Sequence, residues 1–214
     1  MLSMATNSNK KISDNIQQQI LDAASERFTQ YGYNKTTMAE IAKDCGMSAA
    51  NLYRHFENKL DIGANLACDC LTNKTTVAQA IVQQKQKPAS KRLQDIVLSN
   101  LNYTYGQWSD NPRMNELVTA ICGARMDIVD DYKGIEHDLL VELLEDGIAN
   151  DEFAVDDVED TVHAITAATS MFNSPLLMSI YSLEEFTSKA NSVVKLLLNG
   201  ILKKQNSKPG RKTS

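Results

Sequence analysis

The segment of residues 36–59, TTMAEIAKDCGMSAANLYRHFENK, restricts the fold of this chain more than any other stretch. Thr37 and Glu40 have the spacing of a capping box, in which two side chains satisfy free N–H groups at the start of a helix. Apolar residues follow at helical spacing up to Cys45, and Gly46 then interrupts the pattern. A second short helical pattern follows the glycine. Two short helices joined by a glycine turn are typical of a helix-turn-helix.

The rest of the chain also predicts helices. Only 4 Pro and 9 Gly occur among the 214 residues, so long helices meet few breakers. The sequence contains no convincing alternation typical of a strand, and no Asn-Gly pair lies between two such patterns as the turn of a hairpin. The expected helices cover about residues 13–31, 37–45, 48–56, 59–84, 88–105, 109–129, 131–149, 156–172 and 183–204. The sequence therefore predicts an all-α fold.

The order of these helices suggests two domains that share a long helix. We expect residues 1–58 to form an N-terminal three-helix DNA-binding domain that contains the helix-turn-helix, preceded by a disordered arm of about residues 1–12. The long fourth helix joins it to a C-terminal helical domain, residues 59–204, for regulation and dimerisation. Residues 205–214 are expected to be a basic disordered tail, because they are polar and contain Pro and Gly.

The charges are unevenly distributed along the chain. The net charge is −5 overall, with +1 in residues 1–60, −11 in residues 61–202 and +5 in residues 203–214. An acidic body repels polyanions, so a nucleic-acid contact is expected in the head or the tail. Signal-peptide and membrane-spanning patterns are missing from the sequence. Four cysteines without a secretory signal then indicate reduced thiols and a cytoplasmic protein.

The second short helix carries the groups expected to read DNA. Leu52 and Phe56 take its buried side, so the remaining side chains project outwards. Asparagine can pair with adenine and alanine can contact a thymine methyl, whereas Tyr, Arg and His can hold phosphates. Thr37, at the start of the first short helix, and Lys59, at the start of the long fourth helix, are expected to contact the DNA backbone on either side. The candidate DNA-binding residues are Thr37, Ser48, Ala49, Ala50, Asn51, Tyr53, Arg54, His55 and Lys59.

This segment closely resembles the signature of the tetracycline-repressor (TetR) family of transcriptional regulators. The preceding stretch ILDAASERFTQYGYNKTT also resembles the lead-in of that family, and the similarity covers about residues 16–66. The resemblance implies that Thr37, Ser48, Tyr53, His55 and Lys59 contact DNA. The chain departs from the family pattern at residues 49–51, which leaves the operator sequence open. Residues 67–214 match the family only in helix count and order.

The resemblance also implies a mechanism. A homodimer would bind a palindromic operator and release it when a small molecule enters the C-terminal core. A repressor is expected, and an activator of the same family is the alternative. A short helical pair with a glycine turn also occurs in proteins that bind no DNA. A helical scaffold or enzyme with a vestigial helix-turn-helix is therefore a further alternative.

Other motifs in the sequence favour neither catalysis nor a cofactor. Cys68 and Cys70 are two residues apart on a helix and point in different directions, so one ion cannot bind both without help. His137 and His163 are treated as isolated helix residues, and the spacing of known metal and nucleophile motifs is missing. We therefore expect no enzyme activity, no metal and no cofactor.

Aromatic and sulfur-containing residues of the C-terminal domain predict the effector pocket. The candidates are Tyr103, Trp108, Cys122, Met126, Met171 and Phe172, placed beside the fourth helix. That helix is expected to be the one element that touches both the DNA-binding domain and the pocket. The alternative is that these side chains fill a solid core. Helices 8 and 9 carry more apolar residues than one face can bury, which predicts a twofold dimer through them.

Overall fold

The computed structural model describes the backbone of residues 2–202 and the side chains from residue 14 onwards. Nine α-helices make up most of this part of the chain, which confirms the all-α prediction. They are α1 Leu2–Tyr31, α2 Met38–Asp44, α3 Ala49–Leu52, α4 Lys59–Val82, α5 Ala89–Asp110, α6 Asn115–Ala124, α7 Met126–Ala149, α8 Val158–Thr169 and α9 Leu183–Ile201. Short 3-10 helices lie at Pro112–Met114, Ser170–Phe172 and Pro175–Ile180. Within residues 2–202, none of these helices combines the length and apolar character needed to cross a membrane.

The predicted start and stop signals of the helix-turn-helix are present. The Thr37 hydroxyl accepts a hydrogen bond from the Glu40 backbone N–H, and the Glu40 carboxylate accepts one from the Thr37 N–H, so the capping box is confirmed. Ser48 caps α3 in the same way through the Asn51 N–H. Gly46 adopts φ +66° between the two helices, a conformation that side chains with a Cβ rarely take. The turn geometry therefore follows from local sequence.

The apolar side chains form three buried clusters. The first lies in the N-terminal domain, around Phe28, Ile41 and Leu52, but it also contains residues of α6 and α7. The second joins α4, α5, α7 and α8, and the third joins α5 to α9 around Phe186. The DNA-binding and C-terminal domains thus share a core as well as the long helix α4.

Several boundaries differ from the predictions. Helix α1 begins at Leu2, not at residue 13, because its sequence contains no Pro or Gly that would interrupt it; the predicted arm of about residues 1–12 is therefore helical from Leu2. The predicted sixth helix ends at Ala124, and α7 begins at Met126, because Arg125 leaves the helical region with φ −135° and ψ 54°. The predicted basic tail, residues 205–214, lies outside the described residues.

Two glycines of α7 give a matched test of how tightly the second cluster is packed. A Cβ on Gly147 would collide with the Phe153 ring and lie 3.0 Å from Ala89 Cβ, whereas a Cβ on Gly134 meets nothing within 4 Å. We expect Gly147→Ala to lower the free energy of unfolding by about 1–3 kcal/mol through overpacking. Gly134→Ala should raise it by ~0.5 kcal/mol through a less flexible unfolded chain. Chemical denaturation measures both, and equal effects would contradict the close packing at Gly147.

Candidate nucleic-acid interface and effector cavity

The predicted recognition helix is shorter than expected but continues as a compact turn. Helix α3 ends at Leu52, and the N–H groups of His55 and Phe56 then donate to the Leu52 carbonyl at 2.9 and 3.1 Å. Leu52 and Phe56 are buried, as the sequence predicts, and hold this turn against the N-terminal core. The side chains between them are therefore carried on a rigid support at the protein surface.

Most of the candidate DNA-binding residues of the helix-turn-helix are accessible to solvent. Thr37, Ser48, Ala50, Tyr53 and Arg54 are exposed. Ala49, Asn51 and His55 are half-buried, and the Asn51 amide lies 3.8 Å from the Met47 sulfur. The surface thus combines small side chains near the start of α3 with polar and aromatic groups at its end. Such a surface can approach base edges closely and hold phosphates at its margins.

Ion pairing beside this surface reduces its negative charge. The Arg27 guanidinium lies 2.5 Å from an Asp44 carboxylate oxygen and 3.3 Å from a Glu40 oxygen. The hydrogen bond from Arg27 lowers the pKa of Asp44. Arg27 on α1 therefore pairs with acidic groups of α2, which ties the two helices together and offsets repulsion of a polyanion.

Lys59 is placed differently from the sequence prediction. Its ammonium donates to the Tyr33 carbonyl at 2.6 Å, to the Thr36 carbonyl at 2.8 Å and to the Asn34 carbonyl at 3.4 Å. It also lies 4.4 Å from the centre of the Tyr33 ring, and partial burial lowers its pKa. An ammonium has three N–H donors, and these carbonyls accept from all of them. Lys59 therefore holds the α1–α2 loop, and its contact with the DNA backbone stays a prediction.

A cavity of about 530 Å³ lies between α4, α5, α6, α7 and α8, and Ser25 and Thr29 of α1 also line it. Of the six predicted pocket residues, Tyr103, Trp108, Cys122 and Phe172 line it. Met126 does not, because it is the first residue of α7 and its side chain is 45% exposed. Met171 does not line it either, and packs instead on the third cluster around Phe186. A volume of this size suits a drug-sized molecule.

The cavity wall also contains a charged group that the sequence analysis missed. Lys74 lies on α4 with only 6% of its surface exposed, and its ammonium donates to the Thr104 hydroxyl at 2.8 Å. The side chains of Tyr132, Glu136 and Asn173 complete a polar cluster at the same wall. A lysine in the middle of an amphipathic helix gives no sequence signal for burial, since most lysines there are solvated.

Helix α6 connects the cavity to the DNA-binding domain. Its Glu116 carboxylate accepts a hydrogen bond from the Asn34 N–H at 2.8 Å and lies close to Gly32 at the end of α1. The residue after Glu116 on α6 is Leu117, which packs closely on Gly63 of α4 and also lines the cavity. The expectation that α4 is the one element touching both sites is therefore wrong, because α6 touches both as well.

His137 and His163, which the sequence analysis treats as isolated, lie side by side. Their ring centres are 5.7 Å apart, and His137 Nε2 is 2.8 Å from a carboxylate oxygen of Glu159. His137 lies on α7, and the other two lie four residues apart on α8. One candidate ligand atom from each of the three side chains lies within 4.8 Å of the others. Their proximity could not be predicted from the sequence, because it depends on how α7 packs on α8.

The outer faces of α8 and α9 leave small and apolar residues uncovered. Ala164, Ala167 and Ala168 are exposed on α8, and Leu196 on α9 is 73% exposed. The inner faces are buried through Val162 and Ile165 on α8 and through Phe186, Ala190 and Val194 on α9. Both helices therefore pack on their own domain with one side only.

Together, the helix-turn-helix, the cavity and the helices shared between them define the class of helix-turn-helix transcriptional regulators. Two family models match the chain: residues 20–63 match the bacterial regulatory proteins of the tetR family, and residues 89–194 match the tetracyclin repressor-like C-terminal domain. The chain belongs to the tetR family, as the sequence resemblance implies.

Curated relatives and solved structures agree with this assignment. The chain is 30% identical over 119 residues to the HTH-type transcriptional regulator SAR0097 of Staphylococcus aureus, covering 54% of this chain and 52% of that protein. It is 38% identical over 53 residues to the regulator AcrR of Shigella flexneri, covering 25% of each. The chain thus spans at most about half the length of these curated relatives.

Solved structures show the same fold over most of the chain. A TetR-family regulator from Mesorhizobium loti has a TM-score of 0.70 at 14% identity, covering 89% of this chain and 98% of that one. FadR from Bacillus subtilis, solved with stearoyl-CoA, has a TM-score of 0.63 at 19% identity, covering 86% and 98%. SmeT, the repressor of a Stenotrophomonas maltophilia efflux pump, has a TM-score of 0.62 at 16% identity, covering 92% and 96%.

The position of Lys59 generates a prediction that separates folding from DNA contact. We expect Lys59→Met to lower the free energy of unfolding by about 1–3 kcal/mol, because three carbonyls lose a charged donor. Lys43→Met is the control, since Lys43 is an exposed lysine near the end of α2. Thermal and chemical denaturation without DNA measure the change. Unchanged stability of Lys59→Met would contradict the structural role.

Proposed function

We propose that this chain is a transcriptional repressor that acts in the cytoplasm, binds a palindromic operator as a homodimer and releases it when a small molecule enters the cavity. The observation that carries the proposal is that α6 lines the cavity and also holds the DNA-binding domain through Glu116 and Leu117. The fold neighbour SmeT is a repressor, and the neighbour FadR was solved with stearoyl-CoA. Both facts concern those proteins and support the same arrangement here.

On the DNA side, the proposed roles follow from exposure and chemistry. Asn51 and the alanines before it are proposed to face base edges, since the alanines leave room for close approach. Tyr53, Arg54 and His55 are proposed to hold phosphates, together with the hydroxyls of Thr37 and Ser48. These two hydroxyls also cap helices, so phosphate contact and helix capping would occur at the same positions.

The DNA surface generates a prediction with two distinguishable outcomes. We expect His55→Ala to weaken binding to all duplexes and to lower the salt slope by about one unit, because one phosphate contact is lost. Asn51→Ala should change preference at one base position by about 1–3 kcal/mol. Binding is measured against duplexes selected from random DNA, at several salt concentrations. Lys91→Ala is the control, since Lys91 is an exposed lysine in the first turn of α5.

The result for Asn51 decides whether α3 reads bases. If Asn51→Ala keeps both the affinity and the base preference of the unsubstituted protein, this residue does not contribute to sequence recognition. If His55→Ala keeps the salt slope, His55 does not contact a phosphate. Folding of each variant is checked by its thermal unfolding, so loss of binding through unfolding is recognised.

The proposed response depends on the shared contacts of α4 and α6. A ligand can shift a conformational equilibrium only through a difference in affinity for the two states. A ligand beside Leu117 and Cys122 would contact α6, whose Glu116 holds the α1–α2 loop by its contact with the Asn34 N–H. Movement of α6 and α4 would then change the distance between the two recognition helices of a dimer. Half-sites one helical turn apart require that distance to be maintained.

The cavity assignment generates a prediction with a matched control. We expect Trp108→Ala to reduce ligand-induced release of the operator at least about tenfold, since Trp108 lines the cavity. Met126→Ala should leave the response unchanged, because Met126 lies outside the cavity. Compounds that release the selected duplex are found by screening, and operator affinity is then measured with and without them. Equal loss in both variants, or a normal response in Trp108→Ala, would contradict the assignment.

We propose that the dimer forms through the outer faces of α8 and α9. Exposed alanines on α8 and Leu196 on α9 permit close packing of a second copy. A twofold arrangement would pair each face with its own copy.

The expected result for this interface is a dimer by sedimentation at micromolar concentration. Leu196→Asp should shift the protein to monomer, because it buries a charge without a partner. Leu176→Asp is the control, since Leu176 is 51% exposed in the 3-10 helix Pro175–Ile180. A monomeric unsubstituted protein, or a dimer that tolerates Leu196→Asp, would show that this interface is wrong.

A further inference from the structure

Lys74 is the most deeply buried charge of the cavity wall. Its ammonium donates to Thr104 Oγ1 at 2.8 Å and to Asn173 Oδ1, and it lies 5.6 Å from the centre of the Tyr132 ring. Burial lowers its pKa to about 8, although the charge of Glu136 acts in the opposite direction. Neutral oxygens and a ring face are weaker partners for an ammonium than an anion is. The ammonium is thus held at the cavity by neutral groups.

The nearby carboxylate of Glu136 has its own set of donors. It accepts from the Tyr132 hydroxyl at 2.5 Å, from Asn100 Nδ2 at 3.0 Å and from Asn173 Nδ2 at 2.9 and 3.0 Å. Asn173 therefore bridges the two charges, accepting from Lys74 and donating to Glu136. Because three side chains already satisfy Glu136, its charge does not require Lys74 as a direct partner.

The remainder of the cavity is largely apolar and can take an apolar body. Aliphatic and aromatic side chains of α4, α5, α6, α7 and α8 and of the 3-10 helix Ser170–Phe172 line it: Leu71, Val97, Leu117, Leu139, Ile165 and Phe172. Asn173 lies between the 3-10 helices Ser170–Phe172 and Pro175–Ile180, outside the regular helices. A side chain on such a connection can be displaced at lower cost than one on a packed helix.

We propose that the effector is an amphipathic monocarboxylate, whose carboxylate replaces the Asn173 oxygen as the acceptor of the Lys74 ammonium while its apolar body fills the cavity. The inference rests on the proposed ligand-responsive function. A charge-assisted hydrogen bond is stronger than one to a neutral amide, especially where water is excluded. A cationic head would meet Lys74 with the same sign of charge. A neutral head would offer no more than Asn173 already provides.

The test compares acids with alcohols of the same carbon skeleton in the absence of DNA. Decanoic acid and 1-decanol form one pair, and 2-naphthoic acid and 2-naphthalenemethanol form a second pair with an aromatic body. Calorimetric titration of the full chain should show that the acid of at least one pair binds tenfold or more tightly than its alcohol. Lys74→Met should abolish this preference while alcohol binding persists. Lys133→Met is the control, because Lys133 borders the cavity but is exposed and pairs with Asp130.

Each outcome decides the proposal. If the alcohol binds as tightly as the acid in both pairs, or if neither acid binds, the carboxylate is the wrong class. If Lys74→Met keeps the preference, Lys74 is the wrong partner. Lys74→Gln, which keeps a hydrogen-bonding group without the charge, replaces Lys74→Met if the latter fails to fold, and it should also lose the preference. Operator release is measured separately. An alcohol that releases DNA would support the proposed function and refute the carboxylate as the ligand class. A tightly bound acid that does not release DNA would support the carboxylate and refute the proposed function.

The histidine pair on α7 and α8 carries a second, independent inference. Two of the three histidines of the chain meet there, although they are distant in sequence, and Glu159 lies with them. Glu159 and His163 are one helical turn apart on α8, so they share a face. His137 Nδ1 lies 3.5 Å from an Asp138 oxygen. A carboxylate beside the second nitrogen of a histidine is a common way to orient a metal ligand.

We infer that His137, Glu159 and His163 bind a divalent first-row transition metal such as zinc. Imidazole nitrogens and one carboxylate form a ligand set that zinc uses with a further open position. Tetrahedral bonds of ~2.1 Å place ligand atoms roughly 3.4 Å apart. The three atoms, now within 4.8 Å, would need to approach by about 1 Å. Side chains on the surface of two helices can make this movement by rotation, and the bound ion would tie α7 to α8.

Tag-free protein tests this site by competition for zinc with a chromophoric chelator. One ion per protomer is expected, and His137→Ala and His163→Ala should each weaken binding at least tenfold. His55→Ala on the DNA surface is the matched control and should bind like the unsubstituted protein. Zinc should also raise the melting temperature of the unsubstituted protein and of the control, but not of the two variants. Lack of saturable binding at micromolar zinc, or binding that survives both histidine changes, would overturn the inference.

Discussion

The first hydrophobic cluster is the constraint on which the rest of the structure depends, because the DNA-binding domain cannot close its core alone. Leu117 and Ile121 of α6 and Ile128 of α7 are buried with Phe28 and Leu52 of the N-terminal helices. Removal of the C-terminal domain would expose these surfaces to water, at a cost that grows with the apolar area. The two domains are therefore joined by a shared buried core.

Buried polar groups fix the arrangement of the helix ends around these apolar clusters. Lys59 holds the carbonyls of the α1–α2 loop, while Glu116 holds the N–H of Asn34 in the same loop. At the far end of the long helix, Arg92 is almost fully buried and donates to the Val82 carbonyl and to Asp146. Such groups are costly to leave unpaired, so each specifies one arrangement of its neighbours. The apolar clusters hold the helices together, and these contacts decide how their ends meet.

The cavity interrupts the core at a functionally useful place. A cavity of about 530 Å³ beside α4, α6 and α7 leaves part of the inner surface of these helices without a packing partner. Lys74, Asn173 and Glu136 add a polar end to an otherwise apolar space. The region that can accept a ligand is thus also the region where helices of the two domains meet.

Most of the N-terminal domain could be predicted from the sequence because its signals are local. The capping box at Thr37, the left-handed Gly46 and the burial of Leu52 and Phe56 all follow from spacing within one or two turns. The break at Arg125 could not be predicted, since the nearby Gly123 stays helical, arginine is a good helix former and non-local packing overrides propensity there. The pocket residues were partly predicted because aromatic side chains indicate apolar surroundings, but Met126 shows that residue type does not determine which way a helix turns it.

The sequence by itself determined the all-α class, the helix-turn-helix and the family, because each depends on patterns only a few residues long. Only the tertiary structure decided that Lys59 bonds to carbonyls of the α1–α2 loop, that Lys74 is buried at a cavity, and that His137 meets His163. These facts depend on distances between helices that are remote in the chain. Such distances are set by how the side chains of all nine described helices pack at once, and a local pattern contains no information about them.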